Sequence, residues 1–200
     1  MADNIWFELA KVAIPSCVFG AGLIQYRHAQ SWKRMEFVAQ QVEKFRADAM
    51  VRRVLMMLDY GERRIDLGLP LEANLRSGEP KPPRITYKVT AEALRSHRGN
   101  QRGFSPLEAV IRDQFDTFLD YLCHFEHFIT SGLIKSRDLH PYLEYWACAL
   151  AGEDELDEEL LTRFWLFVDT YGYGKARQLI CRFNPQLATR FPLATSECAR

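Results

Sequence analysis

Residues 5–26 read IWFELAKVAIPSCVFGAGLIQY, and taking this stretch as a lipid-facing helix or as a core helix decides how the rest of the chain is placed. It holds fifteen apolar residues, two glycines and, besides these, only Glu8, Lys11, Pro15, Ser16 and Gln25. As a helix at about 1.5 Å per residue it reaches roughly 33 Å, enough to cross a hydrocarbon core of about 30 Å. A charge at mid-membrane costs about 2.5–3.5 kcal/mol on insertion scales. Glu8 and Lys11 avoid that depth, because they lie in the first third of the stretch, three residues apart on one helical face, where they pair or reach toward the headgroups. A cleaved signal peptide needs a basic start, whereas this chain opens on MADN. Arg27, Lys33 and Arg34 follow the stretch directly and residues 1–10 carry no Lys or Arg, so the positive-inside rule puts the C-terminal side in the cytoplasm. The alternative is a buried first helix in a soluble all-helical adaptor or interaction module.

At 100° per residue, Asn4, Glu8, Lys11, Pro15, Gly22 and Gln25 share an arc of about 100°. A lone lipid-exposed helix gains nothing from a polar stripe, whereas an oligomer turns it toward partner helices or a wet lumen. Ser16 and Gly20 add a small-xxx-small pair. The expected oligomer-facing or pore-facing set is therefore Glu8, Lys11, Ser16, Gly20, Gly22 and Gln25. The plainer reading makes Glu8 and Lys11 markers of the interfacial end.

Residues 29–64 read as a long juxtamembrane helix, without Gly or Pro until Gly61. Met35, Val38, Val42 and Phe45 follow the 3-4 spacing of a self-association seam until Arg52 and Arg53 break it, and the alternative is that the stripe packs on the chain's own bundle. Residues 65–104 form a basic, irregular connector rich in Gly and Pro, with a short helix over residues 90–97 capped by Thr90 and an extended piece at Ile85, Tyr87 and Val89. Residues 105–193 form a helical bundle. Ser105 and Glu108 make a capping box with Pro106 at the first helical position, opening a helix to Ile129. Further helices cover residues 136–150, residues 156–171 closed by Gly172, and residues 175–183; residues 194–200 are a frayed tail. The expected fold class is all-α.

The chain has 200 residues, 48% of them hydrophobic, with 26 basic and 26 acidic side chains. This is enough for a real core and speaks against a dedicated nucleic-acid binder. Charge is segregated. Residues 26–64 carry net +4, residues 76–102 +5, residues 103–171 −10 and residues 172–200 +4, so acidic helices pack near basic ones within a chain or between copies. Arg52, Arg53, Arg63 and Arg64 form a candidate basic patch for anionic lipid or a partner.

Five cysteines without a CxxC pair suggest neither a disulfide framework nor a zinc ribbon. Cys123 and His127 lie one helical turn apart, with His140 and Cys148 further on, but a helical Cys among Phe and Leu is usually a core residue. The connector SGLIKSR lacks the oxygen ligands calcium needs, and Tyr171 to Lys175 lacks the spacing of a phosphate loop. The sequence predicts no catalytic residue, no cofactor and no metal site.

The order of a short N-terminal span, a long juxtamembrane helix and a small helical bundle resembles that of small single-span bacterial membrane proteins. In architecture it is also similar to the membrane-pore accessory protein of RNA-targeting CRISPR systems. That resemblance implies a homo-oligomer at the bacterial inner membrane, its bundle in the cytoplasm available to a protein partner, acting as a membrane-perturbing effector or scaffold in antiviral defence. The Arg/His motif of that family, with four to six residues between the arginine and the histidine, is absent here.

Overall fold

Helix formers dominate outside the Gly- and Pro-rich middle of the chain, and the result is mostly helical with one small hairpin. A computed structural model describes residues 2–68, 82–97, 102–153 and 156–192, with side chains described from Phe19 onward. The elements are α1 (Ala2–Ala47), α2 (Ala49–Asp59), β1 (Glu62–Arg64), β2 (Arg84–Thr86), α3 (Tyr87–Ala93), α4 (Pro106–Thr130), α5 (Ser136–Ala151), α6 (Glu158–Tyr171), α7 (Gly174–Phe183) and α8 (Gln186–Arg190). The chain divides into two compact units, Met1–Gln41 and Val42–Arg200.

The first unit is helical. Its described part leaves Phe19, Leu23, Ile24, Tyr26, Trp32 and Met35 exposed. The expected span lies within α1, but Glu8, Lys11 and Ser16 fall outside the residues whose side chains are described; Gly20 is half-buried, and Gly22 and Gln25 are exposed. Among the described residues no helix is long and apolar enough to cross a membrane, so the transmembrane part of the expected architecture finds no support there.

The second unit is built around α4. Ser105 Oγ accepts from the Glu108 amide at 3.3 Å while a Glu108 oxygen accepts from the Ser105 amide at 2.7 Å, so the expected capping box closes the helix start. From there Ile111, Phe115, Phe118, Leu119, Leu122 and Phe125 are buried. α4 packs on α2, α3 and α7, α3 also on α6, and α5 on α7 and α8. Phe45 stands edge-on to Tyr121 and Phe125, with ring centres 5.6 and 5.5 Å away. Of the expected self-association seam, Val38, Val42 and Phe45 are buried and Met35 is exposed, and burying a Phe is worth about 1.5–3 kcal/mol.

Four boundaries differ from expectation, each for a local reason. The long helix breaks at Asp48, whose backbone is extended (φ −64°, ψ 124°) and whose carboxylate accepts from the Met50 and Val51 amides, starting α2 afresh. Residues 62–64 are then not helical but pair antiparallel with β2, Arg63 opposite Ile85. The short helix runs Tyr87–Ala93 and is capped by Thr86, whose hydroxyl accepts from the Val89 amide; Thr90 is buried and donates to the Thr86 carbonyl. α6 begins at Glu158, capped by Asp157, and closes at Gly172 with φ +85°, which glycine adopts without strain. α8 has no counterpart in the sequence reading, and the tail at residues 194–200 lies outside the described residues.

Candidate functional site

Three arginines of the second unit fork onto carboxylates. Arg177 holds Asp169 at 2.9 and 2.8 Å, Arg182 holds Glu126 at 3.1 and 2.5 Å, and Arg95 holds Glu108 at 2.5 and 3.3 Å. Arg112 is as buried as Arg177, yet among the described residues no carboxylate lies within ion-pairing distance of it.

Its guanidinium is satisfied in other ways. Nη1 donates to the carbonyls of Ala93 (2.9 Å) and Arg95 (2.8 Å), at the C-terminal end of α3 where carbonyls lack intrahelical partners. A cation there also meets the negative end of the helix dipole. Nη2 reaches His97 Nδ1 at 3.1 Å. Three aromatic faces surround the charge, with Phe104, Phe167 and Tyr171 centred 4.4, 4.8 and 5.0 Å from it.

His97 is fixed from two sides. Its amide donates to the Tyr171 hydroxyl at 3.0 Å, and that hydroxyl lies 2.6 Å from Nδ1. Because Arg112 can only donate, Nδ1 is an acceptor, and the neutral ring carries its proton on Nε2, an assignment made from these bonds. Among the described residues nothing accepts from Nε2.

These groups line an open-sided pocket of about 300 Å³ that Asp113 and Asp116 also border. Burial pushes the Asp116 carboxyl above the usual carboxylate range, against a hydrogen bond from Tyr173 at 2.9 Å and the Arg112 charge, which lower it. Burial and the Asp116 partner push the Tyr173 phenol up in turn. At the rim Arg95 lies over Phe104 at 4.5 Å and donates to the Gly103 carbonyl at 2.6 Å, holding the loop before α4. The pocket is therefore lined by a fixed cation, an imidazole, two carboxylates and three aromatic rings.

The sequence reading assigned no site role to His97 or Arg112, because they come from different elements, fifteen positions apart. One signal was available. Glu108, Arg112 and Glu126 continue the 4-3 spacing of Phe115, Leu119 and Leu122, placing charges in the buried stripe of α4.

Of the residues expected to form a basic patch, Arg52 is exposed on α2, Arg53 is half-buried near Gly68, Arg63 lies over Tyr60 at 4.4 Å, and Arg64 donates to the Pro82 carbonyl at 3.1 Å. Cys123 and His127 do not gather further ligands; among the described residues no three His, Cys, Asp or Glu side chains form a group able to hold a metal ion. His140 instead stands edge-on to Phe183 at 5.0 Å.

No family model, curated protein or solved structure matches this chain.

Proposed function

We propose that the protein is a membrane-anchored helical scaffold that self-associates through α1, while its Val42–Arg200 unit receives a ligand or partner on the cytoplasmic side. The observation that supports this reading is the exposure of Tyr26 (62%) and Trp32 (77%) at the end of the apolar run, among Arg27, Lys33 and Arg34. Aromatic rings beside cations are the usual residues of a membrane–water interface on its cytoplasmic face. Phe19, Leu23 and Ile24, exposed within the two turns before Tyr26, supply apolar surface for lipid or for sister helices. The test is fractionation of the full chain after bacterial expression. Pelleting with membranes that resists carbonate, and a detergent-solubilised mass several times that of one chain, are expected. A monomer recovered in the soluble fraction without detergent overturns the proposal.

A second reading, a soluble helical adaptor, is favoured by the lack of a membrane-length apolar helix among the described residues. In that case the same side chains cover one another between copies, and the chain is a soluble oligomer. Within the membrane reading, Glu8→Leu combined with Lys11→Leu separates pore from scaffold: altered ion leakage from loaded vesicles supports a pore, and unchanged leakage leaves a scaffold.

A further inference from the structure

Arg112 and Arg177 are the buried arginines among the described residues. Arg177 forks onto Asp169, whereas the Arg112 guanidinium is in contact with carbonyls, an imidazole nitrogen and aromatic faces, and the one carboxylate that feels its charge, Asp116, lies beyond ion-pairing distance and is held by Tyr173. A buried charge without a counter-charge is expensive, and the deficit is relieved when a ligand brings the opposite charge. The pocket beside it is open, so such a ligand has a way in. The bonding at His97 favours an anion further, since Nδ1 is occupied by Arg112 and Tyr171 and the ring N–H is left as a donor. Both Nη1 hydrogens are taken by the Ala93 and Arg95 carbonyls and one Nη2 hydrogen by His97, so Arg112 offers its charge and its remaining N–H donors rather than a free fork, and with the ring N–H of His97 beside it this suits a compact, multiply charged oxyanion such as a phosphoryl group better than a carboxylate. Asp113 and Asp116 line the same pocket, accept hydrogen bonds and repel a ligand that is anionic throughout, so the uncharged part of the ligand must carry donors, as sugar or polyol hydroxyls do. A volume of about 300 Å³ lies at the small end of ligand pockets, which run from about 300 to 1,000 Å³.

We propose that the pocket between α3, α4 and α6 binds a phosphomonoester of a small polyhydroxylated molecule, its phosphoryl group on Arg112 and His97 and its hydroxyls toward Asp113 and Asp116. Soluble sugar phosphates and nucleotides share this chemistry with phosphorylated inositol headgroups of lipids. The proposal does not depend on the membrane reading, since it rests on the Val42–Arg200 unit alone.

Calorimetric titration of the full chain at constant ionic strength tests it, with glucose, glucuronate and glucose 6-phosphate as probes that differ only at the charged end. Saturable binding is expected for glucose 6-phosphate, at least about tenfold tighter than for glucuronate and absent for glucose. His97→Ala, at an exposed turn, is expected to weaken it at least about tenfold without unfolding the chain, and Arg112→Gln to abolish it. Because Arg112 also ties down α3, folding of that variant is checked by circular dichroism, and His97→Ala carries the test alone if it fails. Adenosine monophosphate and vesicles of phosphatidylinositol phosphate, each against its unphosphorylated counterpart, then separate a soluble source from a lipid one. No saturable binding of any phosphorylated probe, equal binding of glucuronate, or binding indifferent to His97→Ala overturns the assignment.

Discussion

Glu108 serves the fold three times: it completes the cap of α4, pairs with Arg95, and through Arg95 steadies the loop that carries Phe104 against Arg112. The Arg95 hydrogen bond is the main cause that holds its carboxyl down to about 2, with the Ser105 bonds adding to it and burial opposing. A folded value below the unfolded one stabilises the fold above the unfolded pKa and loses that contribution as pH falls from about 4.5 toward 2. The contribution at neutral pH is on the order of 3 kcal/mol at most. Glu108→Gln is expected to cost about 1–3 kcal/mol at pH 7 and to flatten the loss of stability between pH 4.5 and 3, as read by urea unfolding at both pH values. An unchanged acid slope in the variant removes Glu108 from the account. Phe45→Ala, which empties the space between Phe118, Tyr121 and Phe125, is expected to cost about 3–5 kcal/mol in the same assay. A loss near zero there would return Phe45 to an interface between copies. At this scale the cap was legible, because Ser105, Pro106 and Glu108 are neighbours in sequence and their partners are local. The Arg112 site was not, since its geometry depends on how α3, α4 and α6 meet, and spacing along the chain carries no trace of that.

Helix existence was legible for the same reason that caps were: α4, α5, α6 and α7 each follow an apolar stripe with stop signals at Gly132, Gly152, Gly172 and Pro185. The break between α1 and α2 was harder to see, because no Gly or Pro marks it. The buried positions nonetheless change phase there, from Val38, Val42 and Phe45 to Val51, Val54 and Leu58, and a straight helix cannot present both sets to one core. Arg52 and Arg53, which end the first stripe in sequence, are the trace of that slip. Asp48 makes the break tolerable by accepting from Met50 at 2.8 Å and Val51 at 3.3 Å. Asp48→Ala is expected to destabilise the second unit by about 1 kcal/mol, seen as a lower thermal midpoint. Asp48→Asn, which keeps the accepting oxygen, is expected to recover most of it, whereas equal losses in both would point to the charge rather than the cap. Gly152 shows how two elements fix a boundary together. It closes α5 at φ +81°, and a Cβ there would run into the Arg190 guanidinium, which donates to the Gly152 carbonyl. α8 was missed because five residues are too few for a stripe to register, and its placement owes more to that contact and to buried Leu187.

Across the whole molecule the segregation of charge read from the sequence is answered within the chain. Arg95 belongs to the basic stretch of residues 76–102, Arg177 and Arg182 to that of residues 172–200, and each pairs with a carboxylate of the acidic residues 103–171. Three complementary pairs thus form by folding among the described residues. Apolar surface is left uncovered on α1, where Phe19, Leu23 and Ile24 stay exposed. Side chains that touch only solvent contribute within about 0.5 kcal/mol to the stability of a folded unit. The combined change Phe19→Ser, Leu23→Gln and Ile24→Gln is therefore expected to leave the urea midpoint of the Val42–Arg200 unit, read in the full chain, where it was. The same change removes apolar surface worth about 25 cal/mol per Å² to whatever covers it, so membrane pelleting or self-association is expected to fall sharply. If instead the midpoint drops and pelleting persists, those side chains belong to the chain's own core and α1 is no anchor.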